Sequence, residues 1–301
     1  MATKAAAPDF SALEATLQER RRRVEKALEG LAPRSEAPDV EAALRGSLYA
    51  PAKRLRPVLA LLVAEILRGD PELVLPAACS IEMVHTASLI LDDLPSMDDA
   101  QSRRGRPACH VVHGEATAIL AAFALLSRAF EILAEGWPGG PDASTRALIG
   151  RELARAVGTE GMIAGQAQDL AMTDRVIDLP TLEFIHSRKT GALFMAAAAL
   201  GAVGAGASAP EKAAVVAYAK NLGLAFQIVD DLIDVTIAAA EVGKDVGKDA
   251  KKTTFVSFAG VAGARQLARE LVDASQEALA GFGLRAQPLR DLAEYVVARR
   301  R

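Results

Sequence analysis

The sequence predicts an all-α protein. Apolar residues recur at helical spacing in most segments, whereas the sequence carries neither sustained two-residue alternation nor an Asn-Gly hairpin signal. Of the 301 residues, 51% are hydrophobic but only 4% are aromatic, a balance set by alanine and leucine, which suit packed helices. The breaks between segments are too short to be domain linkers. We therefore expect one large domain over residues 1–301, with residues 1–9 disordered.

Prolines separate the first four predicted helices, because proline interrupts a helix from within. Pro33, Pro51 and Pro71 lie at these boundaries. The four helices are expected at residues 10–30, 36–48, 55–69 and 72–93.

Glycine and proline clusters separate the later helices, in GWPGGPD from Gly136 and GAGASAP from Gly204. The apolar run from Gly191 is mostly alanine and glycine, which partition weakly into lipid. We therefore expect a tightly packed core helix there and no membrane span. The later helices are expected at residues 115–135, 144–156, 158–172, 180–202, 210–235, 261–281 and 287–299.

Charge and cysteine content exclude several classes of protein. The formal net charge of −3 lacks the basic footprint of a nucleic-acid binder. The N-terminal MATKAAAPDF lacks the apolar core of a secretory signal. Cys79 and Cys109 have neither disulfide-framework nor metal-ligand spacing, so we expect free thiols in a reducing cytoplasm.

An acidic cluster follows the fourth predicted helix, in SLILDDLPSMDDAQSRRGRPACH from Ser88. Asp92, Asp93 and Asp98 belong to it, and Pro95 lies between them. Proline should end or kink the helix, so the later aspartates should curl back towards the earlier ones. Carboxylates beside apolar surface are costly unless a cation lies among them.

A second acidic cluster, in AFQIVDDLIDV, lies within an apolar helix. Asp230, Asp231 and Asp234 project from one face, because they are spaced three and four residues apart. Oxygen ligands without cysteine or paired histidines indicate a hard cation such as Mg²⁺, which commonly shares phosphate oxygens with a substrate. The alternative, a solvated helix end with capping aspartates, is disfavoured because two such clusters occur. The sequence therefore predicts a metal-bridged diphosphate site.

Further motifs follow in order along the chain: KRLRP from Lys53, EMVHTASLI from Glu82, RRGRP from Arg103, GMIAGQAQDL from Gly161, RKTGALF from Arg188 and GKDVGKDAKKTT from Gly243. With the two aspartate clusters, this ordered set resembles the trans-polyprenyl diphosphate synthases, and HTASLILDDLPSMDD is most similar to bacterial geranylgeranyl diphosphate synthases of carotenoid pathways. One departure precedes Lys53, where Pro51 and Ala52 replace the family's usual two glycines.

The resemblance implies a bundle of long helices around a deep central cavity, the isoprenoid synthase fold, usually as a homodimer. It also implies Mg²⁺-dependent head-to-tail condensation of isopentenyl diphosphate with an allylic diphosphate, with about three Mg²⁺ ions on the allylic diphosphate. The departing diphosphate would take the proton that the product loses, so no side-chain base is expected.

Residue roles are carried over from the family motifs. The implied direct metal ligands are Asp92, Asp98 and Asp230, with Asp93, Asp231 and Asp234 ligating or orienting metal-bound water. The implied contacts to the allylic diphosphate are Arg103, Lys189, Thr190, Gln227 and Lys244. Of these, the basic residues Arg103, Lys189 and Lys244 join the direct metal ligands in the expected catalytic group. The implied metal-free binders of isopentenyl diphosphate are Lys53, Arg56, His85 and Arg104. Lys248, Lys251 and Lys252 would form either a mobile basic lid or an exposed run of charge.

Product length in this family depends on side chains one turn below the first aspartate motif. Ala87 and Ser88 occupy these positions, and their small size favours a twenty-carbon product, geranylgeranyl diphosphate. Met83, Phe123 and Met162 are candidates for a deeper floor.

The sequence leaves three alternatives. Farnesyl diphosphate synthase differs only in product size. A class I terpene cyclase would not need the second set of basic anion contacts. A non-catalytic partner subunit would lack motif aspartates, and both sets are present.

Overall fold

The structure, a computed structural model, describes residues 9–241 and 253–299. Nearly all of the regular structure in these ranges is helical, which confirms the all-α prediction. The helices are α1 (Ser11–Leu31), α2 (Pro38–Leu48), α3 (Leu55–Ile66), α4 (Pro71–Asp92), α5 (Cys109–His113), α6 (Glu115–Glu135), α7 (Ala143–Val157), α8 (Met162–Ala171), α9 (Leu179–Lys189), α10 (Gly191–Gly204), α11 (Ala209–Glu241), α12 (Phe255–Ala278) and α13 (Gln287–Ala298). Two short strands, β1 (Ser102–Arg103) and β2 (Arg106–Pro107), pair antiparallel, and a 3₁₀ helix covers Ala280–Ala286.

The observed elements differ from the predicted ones in a few places. The helix predicted over 180–202 is divided at Thr190 into α9 and α10. The β1–β2 hairpin and the five-residue α5 were not predicted, because such short elements carry no periodicity. The span of α12 starts at Phe255, where Thr254 and Ser257 form a capping box, but Gly260 (φ 69°, ψ 168°) interrupts it, so the helix after this kink starts at 261 as predicted.

Helix α10 lies at the centre of the bundle. It packs against α3, α4, α7 and α11, and eleven of its residues are buried. At Gly201 a Cβ atom would lie 2.4 Å from the carbonyl oxygen of Ala60 on α3, so only glycine permits this helix contact. The tightly packed core helix predicted from Gly191 is thus confirmed.

Helix α4 delivers the first acidic cluster to the interior. Its N-terminus is capped by Asp70, whose carboxylate accepts from the backbone N–H of Glu72, and the helix ends at Asp92. Beyond it the chain turns back, because the Asp98 N–H donates to the Asp92 carbonyl at 3.0 Å and the Ala100 N–H to the Asp93 carbonyl at 3.1 Å. The reversal expected around Pro95 is therefore confirmed.

Two helices, α4 and α6, are long and apolar enough to cross a membrane by length and composition alone. The most apolar stretch of α4 is 72% buried within the protein, as in a core helix, whereas that of α6 is 39% buried. Helix α6 therefore keeps an apolar face towards the outside.

Both cysteines are free thiols, as predicted. Cys79 is buried on α4, and Cys109 is partly buried at the start of α5.

Candidate active site

A cavity of ≈710 Å³ opens between the start of α3, α4, the hairpin, α8, the α9–α10 junction and α11. Most of the residues that the sequence assigned to substrates line it, together with the first aspartate of each motif. These residues are Lys53, Arg56, His85, Ser88, Asp92, Arg103, Arg104, Lys189, Thr190, Gln227 and Asp230. One cavity thus brings together side chains that are nearly 180 residues apart in sequence.

The remaining predicted residues do not line the cavity wall. Asp98 lies near it and contacts a wall residue, Asp234 is exposed, and Asp93 and Asp231 are buried behind the wall. Ala87 is buried in the apolar core next to Ser88. The four lysines Lys244, Lys248, Lys251 and Lys252 lie outside the described residues.

Of the candidates for a deeper floor, Met162 lines the cavity. Met83 is fully buried in the core, and Phe123 lies on the exposed face of α6.

Lys189 organises the first acidic cluster. Its ammonium lies 2.9 Å from Asp169 Oδ2, 3.3 Å from Asp92 Oδ2 and 3.9 Å from Asp98 Oδ2. Lys189 ends α9, Asp92 ends α4, and Asp169 comes from α8, so the cation joins three helices. Lys189 therefore contributes one positive charge to this group of carboxylates.

Asp93 turns away from the cavity towards Arg103. The Arg103 guanidinium donates to both carboxylate oxygens of Asp93, with Nε at 2.9 Å and 3.2 Å and a further bond from Nη2. This fork raises the pKa of Arg103, since Asp93 stabilises the charged guanidinium. Asp93 therefore fixes an arginine on the cavity wall and anchors the hairpin that carries it.

In the second motif the first aspartate also has a basic partner, as Asp92 has Lys189. Asp230 Oδ1 on the cavity wall lies 2.8 Å from Nη2 of Arg299, the residue that follows α13. The Arg299 guanidinium also stacks over the Phe226 ring at 3.8 Å and donates to the Phe226 carbonyl at 2.7 Å. Arg299 is thus the ion-pair partner of Asp230, as Lys189 is the ion-pair partner of Asp92.

Asp231, like Asp93, is held by donors of its own chain. Gln227 Nε2 donates to Asp231 Oδ1 at 3.1 Å, and the Phe255 backbone N–H donates to Asp231 Oδ2 at 3.1 Å. The Thr190 hydroxyl donates to Gln227 Oε1 at 3.0 Å, which extends the chain of bonds to the α9–α10 junction. Asp231 therefore orients Gln227 and Thr190 and caps the start of α12.

Burial raises the pKa values of three motif carboxyl groups, those of Asp92, Asp230 and Asp231. It raises the pKa of Asp92 against the opposing effect of Lys189, and raises the pKa of Asp230 against that of Arg299. It raises the pKa of Asp231 to about 6 despite the two hydrogen bonds. Further positive charge at these groups would stabilise their ionised forms.

The other end of the cavity is basic. Arg56 Nη1 and His85 Nε2 are 3.1 Å apart. Burial lowers the pKa of His85 well below its usual value, and that of Arg56 to about 10. His85 is therefore neutral, and its Nε2 accepts a hydrogen bond from the Arg56 Nη1–H. Arg104 and Lys53 add two more cationic side chains to this end.

The cavity wall also holds residues that were missed from the sequence. Arg54 and Glu82 form a buried ion pair at the basic end, and Gln166 lines the wall near Met97. The sequence did carry a signal for Glu82 and Asp169, because each is a single acid in an apolar helix and a buried acid requires a partner. Arg299 stood in a run of three terminal arginines, a pattern typical of a solvated tail.

The acidic end fits a magnesium site by its donor chemistry. In the part of the chain that the structure describes, no three acidic, histidine or cysteine groups are close enough to hold a metal as they stand. However, the Lys189 ammonium already occupies a position among three carboxylates, which offer only oxygen atoms. Hard divalent cations prefer such oxygen sets. Asp92 and Asp98 of this set would hold such cations, and Asp230 would join them from the second motif across the cavity.

Comparison with known proteins identifies relatives over nearly the whole chain. A family model described as polyprenyl synthetase matches residues 38–278. Geranylgeranyl pyrophosphate synthase 9, chloroplastic, of Arabidopsis thaliana is 44% identical over 268 residues, which cover 86% of this chain and 74% of the relative. A geranylgeranyl diphosphate synthase of Cyanophora paradoxa is 42% identical over 286 residues, which cover 94% and 95%.

A solved structure also matches the fold of this chain. The apo structure of an FPP/GFPP synthase from Zymomonas mobilis has a TM-score of 0.85 and 35% identity, and the match covers 96% of this chain and all of that one (100%).

We predict that Lys189→Met destabilises the protein and that Mg²⁺ reverses part of the loss. Without the ammonium, three clustered carboxylates repel one another, at a cost of about 1–3 kcal/mol. Urea unfolding with and without Mg²⁺ measures both effects. Lys212→Met is the matched control, because Lys212 pairs with the single carboxylate of Glu152 at 2.6 Å, away from the cavity. A Mg²⁺ response in the control equal to that of Lys189→Met would contradict this role of Lys189.

Proposed function

The chain belongs to the polyprenyl synthetase family of trans-prenyltransferases, and from this we propose that it joins isopentenyl diphosphate head-to-tail to an allylic diphosphate, with geranylgeranyl diphosphate as its main product. One observation carries the proposal. A single cavity is lined by the first aspartate of each motif and by several basic side chains, with Asp92 beside Lys189 and Asp230 beside Arg299. Two diphosphates that react with each other need both carboxylates that can hold a metal and cations that bind phosphate directly.

The acidic end suits the allylic diphosphate. Mg²⁺, when bound through Asp92, Asp98 and Asp230, would neutralise the charge that gathers on the departing diphosphate. Arg103 and Lys189 supply donors directly to phosphate oxygens. The Thr190–Gln227 pair, oriented by Asp231, presents polar atoms to the reacting end of the allylic chain.

The basic end suits isopentenyl diphosphate without a metal. Lys53, Arg56 and Arg104 offer cationic donors, and neutral His85 keeps the Arg56 guanidinium in place. The allylic carbon–oxygen bond breaks, the double bond of isopentenyl diphosphate attacks the allylic carbon, and a proton leaves the new chain. The released diphosphate is the base for that proton, since the Nε2 of His85 already accepts a hydrogen bond from Arg56.

Support for a twenty-carbon product comes from the cavity wall and from the relatives' names. Ser88 lines the cavity one turn before Asp92, and its small side chain leaves room for a long tail. Curated relatives at 44% and 42% identity are named geranylgeranyl synthases. The solved relative named an FPP/GFPP synthase keeps farnesyl diphosphate as the second candidate product. A non-catalytic partner role is disfavoured because both aspartate sets are present.

We also propose that the protein is a homodimer through α5 and α6. These consecutive helices carry Val111, Val112, Leu120 and Phe123, which are 47% to 61% exposed. Exposed clusters of large apolar side chains on a soluble surface are typical of protein interfaces. A second copy of the chain would offer the same apolar face, so two such faces can bury each other.

The first test of function is incubation of the purified protein with Mg²⁺, isopentenyl diphosphate and, separately, five-, ten- and fifteen-carbon allylic diphosphates, followed by mass spectrometry of the products. We expect a twenty-carbon product.

Asp92→Ala and Asp230→Ala should each lower kcat/KM at least about a hundredfold, because charge on the leaving group loses its stabilisation. Asp273→Ala, on the outer face of α12, is the control. Condensation at the normal rate in either cavity variant would overturn the assignment.

Enlarging the side chain at Ser88 should shorten the product. We expect Ser88→Phe to shift the main product from twenty to fifteen carbons, because the ring would fill the cavity below Asp92. Ser88→Ala removes the hydrogen bond to the His85 carbonyl (2.8 Å) but keeps the space, so its product should be unchanged. Ala87→Tyr tests the neighbouring position, which is buried in the core behind the cavity wall. A twenty-carbon product from both aromatic variants would place the floor elsewhere.

A charge on the α6 face should separate the proposed dimer. We expect Phe123→Glu to halve the molar mass measured by light scattering, since a carboxylate cannot be buried against a second apolar face. Glu131→Gln, on the same helix, is the control. A wild-type protein with the mass of one chain would refute the dimer.

A further inference from the structure

We propose that the buried Arg54–Glu82 ion pair is a positioning device for isopentenyl diphosphate: it holds the loop before α3 in the conformation that directs Lys53 and Arg56 into the cavity. The proposal rests on the function proposed above and assigns a role to two residues that contact the site's basic side chains rather than the reacting atoms.

The pair is more deeply buried than the other cavity charges. Arg54 Nη1 donates to Glu82 Oε1 at 2.6 Å, and each side chain is only 2% exposed. Arg54 Nη2 donates to the backbone carbonyls of Leu48 at 2.6 Å and Ala50 at 3.1 Å. One guanidinium therefore ties the end of α2, the following loop and α4 together.

The backbone of Arg54 explains why such a tie is needed. Arg54 precedes α3 with φ 50° and ψ 35°, the left-handed region that side-chain-bearing residues rarely adopt. The preceding Pro51 and Ala52 offer no glycine to relieve the turn. The side-chain bonds of Arg54 oppose this conformational preference. The turn they maintain lies between Lys53 and Arg56, and both of these residues line the cavity.

Glu82 links the same device to the rest of the basic end. It lies three residues before His85 on α4, so both side chains project from one face of the helix. Its carboxylate also acts on Arg56 and Arg104 through space and opposes the lowering of their pKa values by burial. Loss of Glu82 would thus displace Arg54 and leave the surrounding cations less well neutralised.

Stability alone does not account for the pair. A buried ion pair contributes little net stability over two well-packed apolar side chains, whereas removing one partner leaves a costly unpaired charge. Replacing both partners by apolar residues therefore separates folding from positioning: it relieves the unpaired charge but does not restore the bonds to Leu48 and Ala50.

The test compares Arg54→Met, Glu82→Leu, Glu82→Gln and the double variant Arg54→Met/Glu82→Leu, by steady-state kinetics with each substrate varied and by thermal unfolding. We expect the single apolar variants to unfold at lower temperature. The double variant should recover the stability but keep a KM for isopentenyl diphosphate raised at least about tenfold, with the allylic KM within about twofold of wild type. Glu82→Gln keeps an acceptor oxygen for Arg54 and should show a smaller rise than Glu82→Leu.

The control is Arg269→Met/Glu294→Leu, which removes a 2.7 Å pair between α12 and α13 away from the cavity and should leave both KM values unchanged. A folded double variant with wild-type KM for isopentenyl diphosphate would overturn the proposal, as would equal rises in both KM values. If the double variant does not fold, an unchanged KM in Glu82→Gln overturns it and a selective rise supports it. A wild-type protein without condensation activity would instead refute the proposed function, so the two failures are distinguishable.

Discussion

Carboxylates on the wall of a largely apolar helix bundle require cations beside them, and this requirement shapes the whole cavity. Each motif aspartate that faces the cavity has a basic partner, Lys189 in the first motif and Arg299 in the second. Glu82 has Arg54. These cations come from helices that are distant in sequence, so neutralising the charge also joins α3, α4, α8, α9, α11 and the C-terminal end into one site.

Consecutive aspartates serve two different purposes because adjacent residues on a helix point about 100° apart. In both motifs the first aspartate faces the cavity and the second turns into the protein. Asp93 there holds Arg103, and Asp231 holds Gln227 and the start of α12. One Asp-Asp pair can therefore offer an oxygen to a cation and also fix the side chains that surround it. This division accounts for the pairing of aspartates in each motif.

Most of the helices and the principal cavity residues followed from the sequence, because helical periodicity and charge inside apolar segments are local signals. The break at Thr190 was missed because the flanking residues continue the helical pattern. Arg54, Asp169 and Arg299 were not assigned because their importance depends on partners brought close only by the fold. Arg299 contacts Asp230 across 69 positions, and no spacing rule relates a terminal arginine to an aspartate so far away.

The distribution of charge also determines which diphosphate suits which end. At the acidic end a diphosphate would meet Asp92, Asp98 and Asp169, whose ion-pair partner is Lys189, while the nearby Arg103 is paired with Asp93. Its charge is therefore repelled unless further cations arrive with it. At the basic end the acids Glu82 and Asp230 are paired with Arg54 and Arg299, so the charges of Lys53, Arg56 and Arg104 remain in excess and a diphosphate there needs no additional cation. In the proposed reaction, the substrate whose diphosphate departs would benefit from a metal at the acidic end, because charge develops on that group. The asymmetry of the cavity thus supports the proposed orientation of the two substrates.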